Sequence, residues 1–328
     1  MNSFANVRGH ESAKAQLRAA LARERLAHAV LLSGPEGVGK QRLAAALAAL
    51  LVCEDPTTTT EPDACGSCAG CRQAAAGSHP DVRVVAVPPG KKEIRIEPIR
   101  ELRSFMQLAP LRARSKVAVI TDAHALNPNA QNALLKTLEE PPPRSLLILV
   151  THTPGSLLPT VRSRCQRVHC APLPDDLVVE ILQRDGQLTP AEAACAAAYA
   201  EGSPGRALQL RGALGERRRR LLAQLAALPG AGYVRLAQMI QETTGRDDPA
   251  LPLAIMLTWY RDQAVRAVGA ETIGLRNADL ASHLPPTRSE TAVHGSEALT
   301  QALACLRRSN PNRQLLLEAL FLRLRSEL

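Results

Sequence analysis

The chain has 328 residues, of which 45% are hydrophobic and only 2% aromatic, and its formal net charge is +9. A chain of this length can hold two or three domains. It has no run of about 18 apolar residues that could span a membrane, and the N-terminal MNSFANVRGHESAK lacks the apolar core of a signal peptide. We therefore expect a cytoplasmic protein with no membrane partner. The excess of Lys and Arg over Asp and Glu permits contact with phosphates. The small number of aromatic residues argues against a surface on which nucleic-acid bases stack.

The first third of the chain reads as a helix, a strand, a glycine loop and a second helix. These elements are predicted at 6–26, Ala29–Ser33, 34–40 and 41–52. The loop, GPEGVGK, fits the pattern G-x4-G-K of phosphate-binding loops, and it lies between strand and helix as that pattern requires. Glycines let backbone N–H groups wrap phosphate oxygens, and the helix N-terminus adds positive potential. The candidate nucleotide-binding residues here are Gly34, Gly37, Gly39 and Lys40.

The residue after this loop departs from the pattern. Ser or Thr at this position supplies the hydroxyl that holds Mg²⁺ in hydrolysing proteins, whereas this chain has Gln41. We therefore do not expect a fully competent ATP site. An ordinary glycine turn without a ligand is the alternative interpretation.

Four of the eight cysteines are clustered, at Cys53, Cys65, Cys68 and Cys71. Each Cys-x2-Cys turn can present two thiolates to one tetrahedral metal ion, and Cys53 can supply the fourth ligand. Without a secretory signal a disulfide framework is not expected, and the spacing predicts a zinc module at 53–71. Four thiolates leave no open position for water, so the predicted role is structural. Free thiols or a redox site are the alternatives.

Continuous apolar runs predict the remaining strands. They lie at 82–87, 116–121, 146–151 and 166–169, and helices are predicted at 99–108 and 129–139. Such runs are typical of parallel strands buried on both faces. The fold class is therefore α/β, with a five-stranded parallel sheet in a domain at 1–170. Ligands bind beyond the carboxyl ends of such strands, where Asp122 and Thr151 fall.

The rest of the chain is predicted to be helical. Short helices at 175–183, 190–200 and 204–211 form a small lid at 171–211, and a third domain at 212–328 is all-α. Its long helices are predicted at 251–268, Ser289–Arg308 and 313–328. Broad apolar faces suggest packing against a core or against other subunits, and this domain has no catalytic constellation.

A resemblance is carried by KVAVITDAHALNPNAQNALLKTLEEPP and by LVTHTPGSLLPTVRSRCQ. These segments resemble the clamp-loader subunits of bacterial DNA polymerase III, which belong to the AAA+ superfamily. The match extends from VRGH at 7–10 to the segment 310–322, which is nearly the whole chain. It implies an AAA+ P-loop domain with a zinc module, a helical lid, and a collar domain in a five-subunit ring with gamma/tau and delta subunits. The ring acts on the sliding clamp and primer-template DNA in replication.

The resemblance also implies roles for two arginines. Arg164, in the SRC triplet, corresponds to an arginine that acts in trans on the ATP of a neighbouring subunit. Arg206, in GSPGRAL, corresponds to the lid arginine that faces the nucleotide cleft. Without the resemblance, a local ion pair is the simpler interpretation of Arg164, and a solvated helical arginine is the simpler interpretation of Arg206.

Two missing groups distinguish the possible functions. Hydrolysis needs the hydroxyl that is absent at Gln41, and a carboxylate beside Asp122, where the chain has Ala123. Loss of a general base typically removes about 10²–10⁴ in rate. We therefore expect a stator, a subunit that braces the ring and has no ATPase activity of its own. As a subunit, it would still be part of a DNA-directed DNA polymerase holoenzyme. The alternatives are an active motor ATPase of the same ring and, less favoured, a zinc-dependent nucleic-acid-binding regulator.

Overall fold

The computed structural model describes residues 2–56, 61–209, 214–228, 232–243, 250–270, 275–277, 288–308 and 312–327. The chain divides into two units: Met1–Asp185 with Glu201–Arg206, and Gly186–Ala200 with Ala207–Leu328. Within the described ranges, no helix combines the length and the apolarity that crossing a membrane requires.

The first unit contains a sheet of five parallel strands, as predicted. The strands are β1 (Ala29–Ser33), β2 (Val82–Val85), β3 (Lys116–Ile120), β4 (Ser145–Thr151) and β5 (Gln166–His169). Their order across the sheet is β2-β3-β4-β1-β5. The strand β2 ends two residues earlier than predicted, because its partner β3 ends at Ile120, which pairs with Val85.

The described residues up to 186 contain seven α-helices. They are α1 (Glu11–Ala22), α2 (Lys40–Leu51), α3 (Ala69–Ala75), α4 (Ile96–Gln107), α5 (Pro128–Glu139), α6 (Pro159–Ser163) and α7 (Asp175–Gly186). The helix α1 is shorter than predicted, because residues with positive φ stand on both sides of it, His10 at 59° and Glu24 at 52°. At the start of α5, Asn127 is the N-cap and accepts a hydrogen bond from the backbone N–H of Ala130.

Helices cover both faces of the sheet. Alternate residues of a strand point to opposite faces, so Val30 and Leu32 of β1 pack in one apolar cluster and Leu31 packs in another. The first cluster includes Leu47 of α2, and the second includes Leu134 of α5. Burial on both faces explains why the strands are continuous apolar runs.

The second unit is helical, as expected. Its helices include α8 (Pro190–Tyr199), α10 (Leu214–Ala226), α11 (Tyr233–Thr243), α12 (Ala250–Ala267), α13 (Ser289–Arg308) and α14 (Arg313–Glu327), whereas α9 (Pro204–Gln209) crosses the boundary between the units. The predicted ends at residues 211 and 328 lie outside the described residues. A β-carbon on Gly295 of α13 would lie 2.3 Å from the ring of Tyr260 on α12, so these helices approach closely at a glycine.

Candidate functional site

The glycine loop joins β1 to α2 at the carboxyl edge of the sheet. Two of its glycines are required by the space around them. A β-carbon on Gly34 would lie 2.0 Å from the carbonyl oxygen of Cys170, and one on Gly37 would lie 2.5 Å from Oγ of Ser203. Both residues have positive φ, at 150° and 72°. The loop thus has the glycines of a phosphate loop, but residues of this same chain, Cys170 and Ser203, lie against them.

Lys40 points back into its own loop. Its Nζ donates hydrogen bonds to the carbonyl oxygens of Gly34, at 2.8 Å, and of Pro35. The residue is only 7% exposed, and burial lowers the pKa of its ammonium group. The group that would contact the outer phosphates of a nucleotide is therefore engaged by backbone oxygens.

Residues distant in sequence bind the next three carbonyls of the loop. Oγ of Ser203 donates to the carbonyl of Glu36 at 2.7 Å, and the N–H of Gly205 donates to that of Gly37 at 2.9 Å. Nε2 of His10 lies 2.8 Å from the carbonyl oxygen of Val38. All five carbonyls from residue 34 to residue 38 thus have a partner within the first unit. The sequence offered no signal for these partners beyond the GSPGR segment itself.

Asp122 and Thr151 lie at this edge of the sheet, as predicted. Asp122 follows β3, and its Oδ2 accepts a hydrogen bond from the Thr121 hydroxyl at 3.0 Å. Thr151 is the last residue of β4, is buried, and pairs with Ser33 of β1. Ala123 is buried in the apolar core, and Gln41 is exposed. No carboxylate stands at residue 123 and no hydroxyl at residue 41.

Two histidines adjoin the same edge. The rings of His124 and His152 have centroids 4.0 Å apart. Burial and the neighbouring His152 lower the pKa of His124, and its Nδ1 is buried without a hydrogen-bond partner among the described residues. Neither ring supplies the carboxylate that is missing at residue 123.

Arg206 forms an ion pair within the first unit. Its NH1 lies 3.2 Å from Oε2 of Glu201, and its side chain is half-buried. Its backbone N–H donates to Oγ of Ser203. The guanidinium predicted to face a nucleotide is therefore neutralised by a carboxylate next to the closed loop.

The four clustered cysteines converge as predicted. All four Sγ atoms lie within 4.8 Å of one another, and the pairs Cys53–Cys68 and Cys65–Cys71 are each 3.9 Å apart. Zn–S bonds of about 2.3 Å in a tetrahedron place sulfurs about 3.8 Å apart, so the arrangement fits a four-thiolate metal ion.

Backbone N–H groups support the thiolate form in this cluster. The N–H groups of Cys65, Cys68 and Cys71 donate to the sulfurs of Cys53, Cys65 and Cys68 respectively, at 3.3–3.4 Å. Hydrogen bonds from the N–H groups of Cys68 and Ser67 lower the pKa of Cys65 to about 6, whereas burial raises the pKa of Cys71. The four sulfurs could therefore hold one metal ion.

The cysteine module is also fastened to the N-terminus of the chain. Asp63, which is buried, accepts hydrogen bonds from the N–H groups of Phe4 and Ala5, both at 2.8 Å. Phe4 is fully buried in the same apolar cluster as Cys53 and Cys71. This contact was not predicted, because nothing in the local sequence relates residue 63 to residue 4.

Arg164 follows α6 and is exposed. Its NH2 lies 3.0 Å from Oε1 of Glu139, and its NH1 donates to the carbonyl of Thr160 at 3.1 Å. The local ion pair, one of the two interpretations of this residue, is therefore present. The segment before α6 is held by Gln131, whose Oε1 accepts from the N–H of Leu158 at 2.7 Å. Gln131 could have been noticed as a polar residue on the apolar face of the predicted helix.

These features define the class of the protein. A parallel sheet with β1 between β4 and β5, a glycine loop between β1 and α2, and polar residues after β3 and β4 describe a P-loop domain of the AAA+ type. Residues 9–174 match the family model for "DNA polymerase III, delta subunit".

Known proteins narrow this class to one family. The chain is 37% identical over 306 residues to DNA polymerase III subunit delta' of Pseudomonas aeruginosa, which covers 90% of both chains. It is 33% identical over 301 residues to subunit delta' of Escherichia coli, with 90% of this chain and 88% of that protein covered. Subunit tau of Escherichia coli matches only 51% of this chain, at 39% identity. The chain belongs to the family of DNA polymerase III delta' subunits.

Proposed function

We propose that this chain is the delta' subunit of the DNA polymerase III clamp loader and that it braces the ring without hydrolysing ATP. One observation carries the proposal: the glycine loop is closed by its own lysine and by Ser203 and Gly205, whereas Arg164 is exposed. The chain cannot turn over a nucleotide of its own with this site, and it presents an arginine to a neighbour.

The absence of hydrolysis follows from the chemistry of the site. Gln41 provides no hydroxyl for Mg²⁺, and Ala123 provides no carboxylate to activate water. Lys40, the residue that should neutralise phosphate charge, is bound to carbonyl oxygens instead. We infer that the loop is vestigial and serves as a structural joint.

Membership of the delta' family supports a set of partners that we include in the proposal. The chain assembles with gamma/tau and delta subunits in a five-subunit ring, in the cytoplasm, and through the ring it acts on the sliding clamp and primer-template DNA. We propose three domains: a P-loop domain at 1–170, a lid at 171–211 and a collar at 212–328. The similarity to subunit tau over half of the chain supports a common ring architecture.

The metal of the cysteine cluster is zinc in this proposal. Zinc prefers four thiolates in a tetrahedron, and the sulfur separations fit that geometry. Cys53, Cys65, Cys68 and Cys71 would hold it, and the ion supplies a cross-link rather than a reactive centre, since no coordination position stays open.

Arg164 is the residue by which this chain contributes to catalysis. In trans, its guanidinium stabilises the charge that develops on a neighbour's γ-phosphate, an effect of about 10³–10⁵ for such arginines. The test is a clamp loader reconstituted with wild-type chain or Arg164→Ala, with turnover measured at saturating ATP in the presence of clamp and primed DNA. We expect normal assembly by size-exclusion chromatography, with reduced DNA-stimulated ATPase and clamp loading.

The conservative variant sharpens this test. Arg164→Lys should restore only part of the activity, because an ammonium group lacks the planar fork of donors. If Arg164→Ala assembles fully and both turnover and clamp loading are unchanged, Arg164 serves only its ion pair with Glu139.

A further inference from the structure

The guanidinium of Arg164 is held from two sides. Glu139 accepts from NH2 at 3.0 Å, and the carbonyl of Thr160 accepts from NH1 at 3.1 Å. Arginine carries five N–H donors, so these two contacts leave three donors for a phosphate. The two acceptors orient the side chain without consuming its ability to bind an anion.

The position of Glu139 on its helix calls for an explanation. It is the last residue of α5, and Glu140 is the C-cap. Carboxylates are unfavourable at a helix C-terminus, where the backbone carbonyls already concentrate negative potential. The contact with Arg164 offsets this cost for Glu139. Among the described ion pairs, none involves Glu140.

The backbone beneath Arg164 is fixed as well. Gln131, on the same helix α5, donates through Nε2 to the carbonyls of Leu126 and Ser156 and accepts from the N–H of Leu158. The segment that leads into α6 therefore cannot shift along α5 without breaking buried hydrogen bonds. The helix α5 therefore acts at two points. Gln131, near its start, fixes the position of the backbone that leads to Arg164, and Glu139, at its end, orients the guanidinium.

From this geometry we infer that Glu139 is a positioning residue for Arg164, which presents the guanidinium to the neighbouring subunit in a fixed orientation. The inference rests on the proposed function of Arg164 in trans. A long side chain that is already ordered loses less conformational freedom when it meets the transition state. Both groups are partly exposed, with side-chain exposures of 38% for Arg164 and 51% for Glu139, so the effect is moderate.

The experiment compares four variants in the reconstituted clamp loader. They are Glu139→Ala, Glu139→Gln, Glu140→Ala and Arg164→Ala. Exposed ion pairs correspond to about a two- to five-fold effect, so Glu139→Ala should remove about half to four-fifths of the turnover that Arg164→Ala removes. Glu139→Gln, which keeps an oxygen acceptor, should recover part of this loss. Glu140→Ala, which removes an adjacent carboxylate that is also exposed, should match the wild type.

A second readout separates positioning from a purely structural role. Affinity of the neighbour for a fluorescent ATP analogue should be unchanged in Glu139→Ala, since the contact acts on the turnover number at saturating ATP. Thermal unfolding of the isolated variant should also be unchanged, because truncating an exposed acid at a helix C-terminus costs no packing.

The outcomes distinguish the two proposals. If Arg164→Ala depresses turnover and Glu139→Ala does not, or raises it, the positioning role is overturned while the role of Arg164 stands. If Arg164→Ala itself has no effect, both proposals are overturned. An equal loss in Glu139→Ala and Glu140→Ala would mean that surface charge alone matters, and would also overturn the positioning role.

Discussion

Lys40 illustrates how one residue type serves two different purposes. In a phosphate loop its ammonium group meets phosphate oxygens, whereas here it meets the carbonyl oxygens of Gly34 and Pro35. Lys40→Ala should therefore destabilise the folded chain, because the buried carbonyl of Gly34 and the partly buried carbonyl of Pro35 lose their partner. The expected loss is about 1–3 kcal/mol, measured by urea unfolding followed by circular dichroism.

The matched control for Lys40 is Lys92→Ala. Lys92 is exposed and forms no ion pair among the described residues, so its truncation should leave the unfolding free energy within about 0.5 kcal/mol of the wild type. Equal stability of Lys40→Ala and the wild type would show that the lysine is dispensable to the loop and would reopen the question of a nucleotide ligand.

Local sequence predicted where single residues of the candidate site lie but not which residues contact them. The cysteine spacing predicted that the four thiols converge, and the strand ends predicted that Asp122 and Thr151 lie at one edge of the sheet, because both signals depend on residues close in sequence. Ser203 and Gly205 could not be assigned to the loop, because the contact joins residues 167 positions apart. The same limit applies to Glu139 and Arg164, whose pairing depends on how α6 packs against α5.

At the scale of elements, the loop before β3 depends on one buried carboxylate. Asp81 accepts hydrogen bonds from the N–H groups of residues 111–113 at 2.8–2.9 Å and from Nζ of Lys116 at 3.2 Å. Burial alone would raise the pKa of Asp81, but these donors outweigh it and hold the pKa at about 2, below the ordinary 3.8. The folded state thus favours the ionised form.

This depressed pKa predicts a pH dependence of stability. The contribution of Asp81 is fully present above pH 3.8 and is lost as the pH falls toward about 2. It amounts to about 2 kcal/mol, since one pKa unit corresponds to 1.36 kcal/mol. Asp81→Asn should therefore be less stable at pH 7 and lose less stability between pH 4 and pH 2. Asp176→Asn, an exposed control, should retain the acid dependence of the wild type in chemical unfolding curves.

The cysteine module is an element that metal should hold together. We expect one zinc ion per chain by elemental analysis of protein purified without chelators. Cys68→Ser should lose the metal yet retain the sheet, because β1 to β5 do not include the module. Cys305→Ser, outside the cluster, should keep the metal. A metal-free wild-type chain whose four clustered thiols react with a thiol reagent under native conditions would contradict the zinc assignment.

Element boundaries were the part of the fold that sequence predicted least well. The strands were placed within two residues because each is a compact apolar run. The helix α1 was predicted at 6–26 but occupies Glu11–Ala22, because the left-handed backbone of His10 is not visible in an apolar pattern. The short helix α3, Ala69–Ala75, was missed since only a few residues separate the clustered cysteines.

At the scale of the whole molecule, the isolated chain should not hydrolyse ATP. The reasons are the residues at 41 and 123 and the closed glycine loop. The measurement is phosphate release with Mg²⁺ and ATP, with and without primed DNA. Turnover above background that disappears in Lys40→Ala would favour the motor ATPase over the stator, and tight binding of DNA by the isolated chain would favour the regulator.

The closing of the glycine loop also sets an order of events during synthesis on the ribosome. The residues that bind the carbonyls of Glu36 and Gly37 are made 167 or more positions later. At roughly 5–20 residues per second, Glu36 is synthesised about 8–33 s before Ser203. Among the described partners of the loop, Lys40 and His10 have already been synthesised in that interval. The contacts of Ser203 and Gly205 with the glycine loop can therefore form only after all five strands have been synthesised.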